Sequence, residues 1–118
     1  MDKFRPESFL PLTPVAFEIL LALADGDRHG YSILQEVETR SGGAVSLHAG
    51  TLYRALARLL ESALIEELDS PDPKHDDERR RYYRLTHRGI AVARAEVGRL
   101  EGQLAAARTR RLLKGARG

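Results

Sequence analysis

Thr51, Arg54 and Arg58 recur at intervals of three and four within HAGTLYRALARLLESALI, residues 48 to 65. Residues so spaced share one face of a helix. A hydroxyl and two guanidiniums on one face suit a definite chemistry. Thr51 can donate to a phosphate or a base edge, and Arg54 offers a planar fork that matches the two major-groove acceptors of guanine. Arg58, one turn further on, suits a phosphate contact that sets register. Ser46 and His48 come just before, where a hydroxyl, an imidazole and the open N–H groups of a helix start can meet an anion. Tyr53 lies on the border of the apolar arc, so its ring should be half-buried with its hydroxyl directed at the backbone. The same residues also suit an ordinary solvated face, where threonine and arginine are common.

A second group of cations changes that balance. Arg79, Arg80, Arg81 and Arg84 follow Lys74 and His75 in the stretch KHDDERRRYYRLT. On a hairpin they would straddle phosphates or enter a minor groove. Tyr82 and Tyr83 read as packing residues, because strand alternation buries at least one. The net charge of +2 conceals an asymmetry: residues 1 to 68 carry six Lys/Arg against ten Asp/Glu, whereas 69 to 118 carry thirteen against seven. A basic half facing an acidic partner is one reading of that split, and a solvated arginine-rich helix is the other.

Catalysis finds no comparable arrangement. The absence of cysteine excludes disulfides, thiolate chemistry and cysteine-ligated metals. The histidines, at 29, 48, 75 and 87, include no i, i+4 metal pair. No glycine-rich phosphate loop or nucleophile elbow is present, and Asp76, Asp77 and Glu78 read as a solvated acidic tip. The sequence therefore predicts a protein that is not an enzyme, with no catalytic residue, metal or cofactor.

The elements that must position these side chains are legible. Thr13 is an N-cap and Pro14 a first helical residue, opening a helix whose Val15, Ile19, Leu20 and Leu23 share a face; Asp25-Gly26-Asp27 ends it. A second helix runs from about Gly30 to the Gly42-Gly43 break, with Ile33, Leu34 and Val37 buried. In the third, Leu52, Leu56, Leu59, Leu60 and Ala63 fall within an arc of about 100° opposite Thr51, Arg54 and Arg58. LIEEL and RRRYYRLT flank a tip containing Pro71 and Pro73, which predicts a two-stranded hairpin. From Thr86 a final helix is expected to about Leu113, with Ile90, Ala93, Val97, Leu100, Leu104 and Ala107 at heptad spacing. Such a seam joins two copies of the chain or folds back on its own domain; six positions exceed what a small domain readily covers, which favours a homodimer.

These elements spell a mainly α fold with a small β-hairpin: a winged helix-turn-helix plus a long C-terminal dimerisation helix. Residues 1–12 form an N-terminal arm, 13–86 the DNA-binding domain, 87–113 the dimerisation helix and 114–118 a disordered tail. With 42% hydrophobic and 31% charged residues the composition is globular. No signal peptide or stretch long enough to cross a bilayer is seen, so a cytoplasmic protein without a membrane partner is expected.

HGYSILQEV, GTLYRALARLLESALI and RRYYRLTHRG together resemble the PadR family of bacterial transcriptional regulators, from about Leu12 to Leu100. The single helix after the wing is similar to the compact branch of that family. The resemblance implies a homodimeric repressor that binds double-stranded DNA at a pseudo-palindromic promoter element, often its own, and releases it when a small-molecule effector binds near the dimer interface. It places Thr51, Tyr53 and Arg54 in the DNA-reading helix and Tyr31 at the start of the supporting helix. Arg54 stands where proline is common, Leu60 where glutamate is frequent, and Ala63 where glycine usually ends the helix; alanine takes a left-handed C-cap less readily. Without tryptophan, no tryptophan-lined effector site can be built. Phe4, Phe9 and Phe17 could line a small pocket between the first and last helices, or simply pack. The competing expectation is a winged-helix module that binds another protein through its groove or basic surface and has no operator of its own.

Overall fold

The computed structural model describes residues 3–69 and 81–113. A 3-10 turn at Pro6–Phe9 precedes α1 (Pro14–Leu23), β1 (Arg28–His29), α2 (Gly30–Arg40), α3 (Ala49–Glu61), β2 (Ile65–Leu68), β3 (Tyr82–Leu85) and α4 (His87–Thr109).

Local chemistry sets the helix ends. Thr13 Oγ1 accepts from Ala16 N at 3.1 Å, with Pro14 in the first turn where its missing N–H costs nothing. His29 Nδ1 accepts from Ser32 N at 3.1 Å and so caps α2. Gly42, at φ 62°, closes α2 in a left-handed turn in which Gly43 N donates to Glu38 O. Thr86 Oγ1 accepts from Gly89 N at 3.1 Å to open α4.

Ala63 ends α3 in the left-handed conformation, φ 60°, against the expectation drawn from its side chain. The bonds gained there explain this. Leu64 N donates to Leu59 O and Ala63 N to Leu60 O, each at 3.0 Å, so two otherwise orphaned carbonyls are satisfied while Leu59 and Leu64 are both buried. The same closure occurs at Arg111, φ 59°, where Leu112 N donates to Ala107 O. It ends α4 at Thr109, short of the expected Leu113.

The sheet has three antiparallel strands rather than the expected two, in the order β1-β3-β2. β3 is central, pairing Tyr83 with Arg28 on one side and with Glu67 on the other. A two-residue strand such as β1 has no periodicity to read. Arg28 also ties it to the helices, donating from Nε to Ala22 O at 2.7 Å and from Nη1 to Ser32 Oγ at 2.9 Å.

The core gathers Ile19, Leu20 and Leu23 of α1, Ile33 and Val37 of α2, Leu52, Leu56 and Leu59 of α3, Leu64, Ile65, Tyr83, and Val92 of α4. Val15, Leu34 and Leu60 pack on its edge. Each fully buried aliphatic side chain contributes about 1.5–3 kcal/mol of hydrophobic stabilisation. α1 and α2 are further joined by Arg40, which pairs with Glu18 and Glu36; desolvation is the largest single influence on its pKa and lowers it, but the hydrogen bonds and charges of the two carboxylates together outweigh it and leave the pKa raised.

Candidate nucleic-acid interface

Burial of Leu52, Leu56 and Leu59 fixes the rotation of α3 and leaves Tyr53, Arg54 and Arg58 exposed, with Thr51 partly so. Arg54 Nη2 lies 3.4 Å from Thr51 Oγ1, a long bond that leaves most of the guanidinium's donors open. Ser46 and His48 are both exposed where the chain enters α3. His48 is the N-cap by backbone geometry, and its side chain makes no capping bond.

Tyr31, at the start of α2, is 63% exposed, and Tyr53 is 53% exposed. Gly30 brings the two helices together here: a Cβ at this position would stand 2.7 Å from the Tyr53 hydroxyl oxygen. The absence of a side chain at Gly30 is thus what lets Tyr53 lie across the start of α2. Both tyrosines border a cavity of about 440 Å³ between α2, α3 and the sheet, completed by His29, Gly30, Glu67, Arg81 and Tyr83.

Arg58 faces elsewhere. It borders a smaller groove of about 180 Å³ with Phe9, Leu12, Ala16, Ala55 and Leu59, beside the N-terminal segment. Phe4 and Phe9 pack on each other with their rings tilted by 45° and centroids 5.8 Å apart, and the Arg88 guanidinium lies 4.8 Å from the Phe4 ring centre. Both rest against the core, and Phe17 is partly buried.

Lys74, His75, Asp76, Asp77, Glu78, Arg79 and Arg80 lie outside the described residues. Among the described residues, the wing arginines Arg81 and Arg84 are paired with carboxylates. Arg81 Nη1 donates to Glu67 Oε2 at 2.9 Å. Arg84 Nε sits 3.6 Å from Glu66 Oε1 and 3.8 Å from Asp27 Oδ2. Antiparallel register is the cause: it sets Glu66 opposite Arg84 and Glu67 opposite Tyr83, next to Arg81 in the sheet. Tyr83 is buried, and desolvation, reinforced by the Glu67 charge, raises its phenol pKa. Tyr82 meets His29 edge to face at 5.4 Å. Both tyrosines are packing residues, as alternation predicted for at least one of them.

On α4, Gly89, Val92 and Glu96 turn inward, while Ile90, Val97, Leu100 and Leu104 are exposed. Ala93 packs at the core edge and Ala107 is partly buried. Glu96 is a charged residue that the sequence reading passed over: it is almost fully buried and accepts from Arg99 Nε at 2.7 Å and Nη2 at 2.8 Å. That bidentate pairing holds its carboxyl below the ordinary range, burial opposing and the Leu12 backbone assisting. Gly30 and Glu67 were also missed. Only their spatial neighbours, not their spacing, mark them.

Among the described residues no cluster could hold a metal ion, and no helix is long and apolar enough to cross a membrane.

The transcriptional regulator PadR-like family matches residues 19–95 of this chain. A transcriptional regulator from Clostridium thermocellum has the same fold, with a TM-score of 0.67 at 28% identity over 85% of this chain and 90% of that one. A PadR family transcription regulator from Clostridium difficile superposes with a TM-score of 0.69 over 82% of this chain and 97% of its own; at 24% identity this likeness bears on fold alone. An uncharacterised protein of Lysinibacillus sphaericus is 34% identical over 73 residues, or 62% of this chain, and the chain spans 65% of that relative's length. The matched segment holds the end of α1, all of α2, α3 and the sheet, and the first part of α4, so this chain belongs to the PadR-like family of DNA-binding transcriptional regulators, a family of regulators and not of enzymes.

Proposed function

We propose that this protein is a homodimeric repressor that sets two copies of α3 into successive major grooves of a pseudo-palindromic promoter element and is released by a small-molecule effector. The observation that carries the reading is the division of α3: leucines buried along one side, and Thr51, Tyr53 and Arg54 held out on the other beside Tyr31. In this reading Arg54 reads a base edge, while Thr51, Ser46 and His48 hold phosphates at the helix start. Arg58 contacts a phosphate from the rim of its groove, and Lys74, Arg79 and Arg80 extend the contact along the wing. Dimerisation uses Ile90, Ala93, Val97, Leu100, Leu104 and Ala107; the open apolar stripe on α4 supports this assignment, because exposed leucine and valine in register suit a second helix.

A fluorescence-anisotropy titration against duplex from the protein's own upstream region and a scrambled duplex, each at two salt concentrations, tests the reading. Tight, salt-dependent and selective binding is expected. Arg54→Ala should weaken selective binding about tenfold or more with fold unchanged, the cost of one bidentate base contact. Equal weak binding to both duplexes would overturn the repressor reading.

A further inference from the structure

We propose that Glu67 is an internal stand-in for a DNA phosphate: it occupies Arg81 in the cavity between α2, α3 and the sheet until a backbone phosphate displaces it. The inference rests on the DNA-binding reading above and deepens it by naming a residue that opposes binding.

Three observations carry it. First, the pair lies on the sheet face that looks toward α3, since Glu67 stands opposite buried Tyr83 and Arg81 precedes Tyr83 by two residues. Second, the cavity brings together the donors a phosphodiester needs, the Arg81 guanidinium with the Tyr31 and Tyr53 side chains, and sets one carboxylate among them. A carboxylate and a phosphodiester each offer arginine a pair of anionic acceptor oxygens that can take two parallel N–H bonds, so each can replace the other. Third, the pair is exchangeable. The Arg81 and Glu67 side chains are 63% and 36% exposed, and an ion pair so wetted holds its partners weakly. A buried pair would resist displacement.

The adjoining residue supplies a control within the same strand. Glu66 carries the same charge on the opposite face of β2, paired with Arg84 outside this cavity. If Glu67 acted only by repelling DNA at a distance, Glu66 would act equally. Competition for Arg81 is instead local, and it weakens binding to every sequence alike, because phosphates carry no base information. Glu67 therefore restrains non-specific binding while the base contacts of α3 retain their full effect.

The test titrates the full chain and its Glu67→Gln, Glu66→Gln, Arg81→Ala and Glu67→Gln/Arg81→Ala variants against the upstream and scrambled duplexes over a range of salt. Glu67→Gln should tighten both duplexes about three- to tenfold and steepen the log–log salt slope by up to about 0.9, because no displaced carboxylate is left to take up a cation in exchange for the one that Arg81 releases from the DNA. Glu66→Gln should change affinity less than about twofold, and Glu67→Gln should gain nothing once Arg81 is alanine. Equal tightening by the two glutamine variants, or a gain that survives loss of Arg81, overturns the proposal while leaving DNA binding intact. A wild-type chain that binds no duplex defeats the DNA-binding reading itself, and this inference with it.

Discussion

Gly89→Ala should unfold the junction between α3, the sheet and α4, although alanine is the better helix former. A Cβ at residue 89 would stand 1.9 Å from the Leu64 carbonyl oxygen, 3.0 Å from its carbonyl carbon and 3.2 Å from Leu85 Cδ2. No rotamer relieves a clash with backbone, so the first turn of α4 must back away by more than an ångström. Three bonds are then stretched: Thr86 N to Leu64 O at 3.1 Å, Gly89 N to Thr86 Oγ1 at 3.1 Å, and Thr86 Oγ1 to Ala63 O at 2.6 Å. Overpacking costs about 1–3 kcal/mol and the loss of a cap about 1 kcal/mol, against a helix-propensity gain of at most about 1 kcal/mol. The net loss is about 1–3 kcal/mol, or a fall of roughly 5–15 °C in Tm. Gly98→Ala is the comparison within the same helix: its Cβ would meet nothing within 4 Å, and it should gain up to about 1 kcal/mol. Urea unfolding followed by circular dichroism, at one fixed protein concentration, measures both. A Gly89→Ala protein as stable as wild type, or a Gly98→Ala protein equally damaged, would refute the reasoning.

Three further outcomes are expected. Ala63→Gly should stabilise the chain by about 1 kcal/mol in the same unfolding assay, because glycine relieves the left-handed strain at φ 60° and keeps both closing bonds; destabilisation would show that no strain is stored there. Glu96 has a depressed pKa, so its contribution is complete above the ordinary carboxylate range near about 4.3 and is lost as pH falls through its lower folded value; Glu96→Gln should flatten that acid limb in thermal melts taken between neutral and acidic pH. Leu104→Glu places a charge in the exposed α4 stripe and should weaken the proposed dimer about a hundredfold or more in sedimentation equilibrium, while the monomer keeps its helical spectrum.

Where one element decided its own structure, the sequence was readable. Thr13-Pro14 announces α1, and the leucine arc of α3 fixes which side Arg54 must occupy, because a helix has one period and one buried face. What escaped reading depends on pairings between distant segments. β1 is two residues long and is defined by its partner β3. Which carboxylates Arg81 and Arg84 meet is decided by strand register, which sets them beside Glu67 and Glu66. Glu96 sits one turn beyond Val92 on the inward side of α4, a position that spacing alone assigns to an apolar residue. Tyr53 is exposed enough to read as a contact residue, yet its placement over Gly30 depends on how α2 and α3 cross.

The Leu64 peptide serves two elements at once. Its N–H closes α3, and its carbonyl both receives the Thr86 N–H that leads into α4 and abuts Gly89. α3 and the start of α4 are thus fastened to one shared peptide, and in the proposed reading the two tilt as one lever. In the proposed dimer this makes the paired α4 helices a ruler: the angle at which they cross sets the spacing of the two reading heads. Half-sites would have to match that fixed gauge, one DNA turn of about 34 Å or a multiple of it, and an effector that rotated the crossing by a few degrees would move both heads off register together.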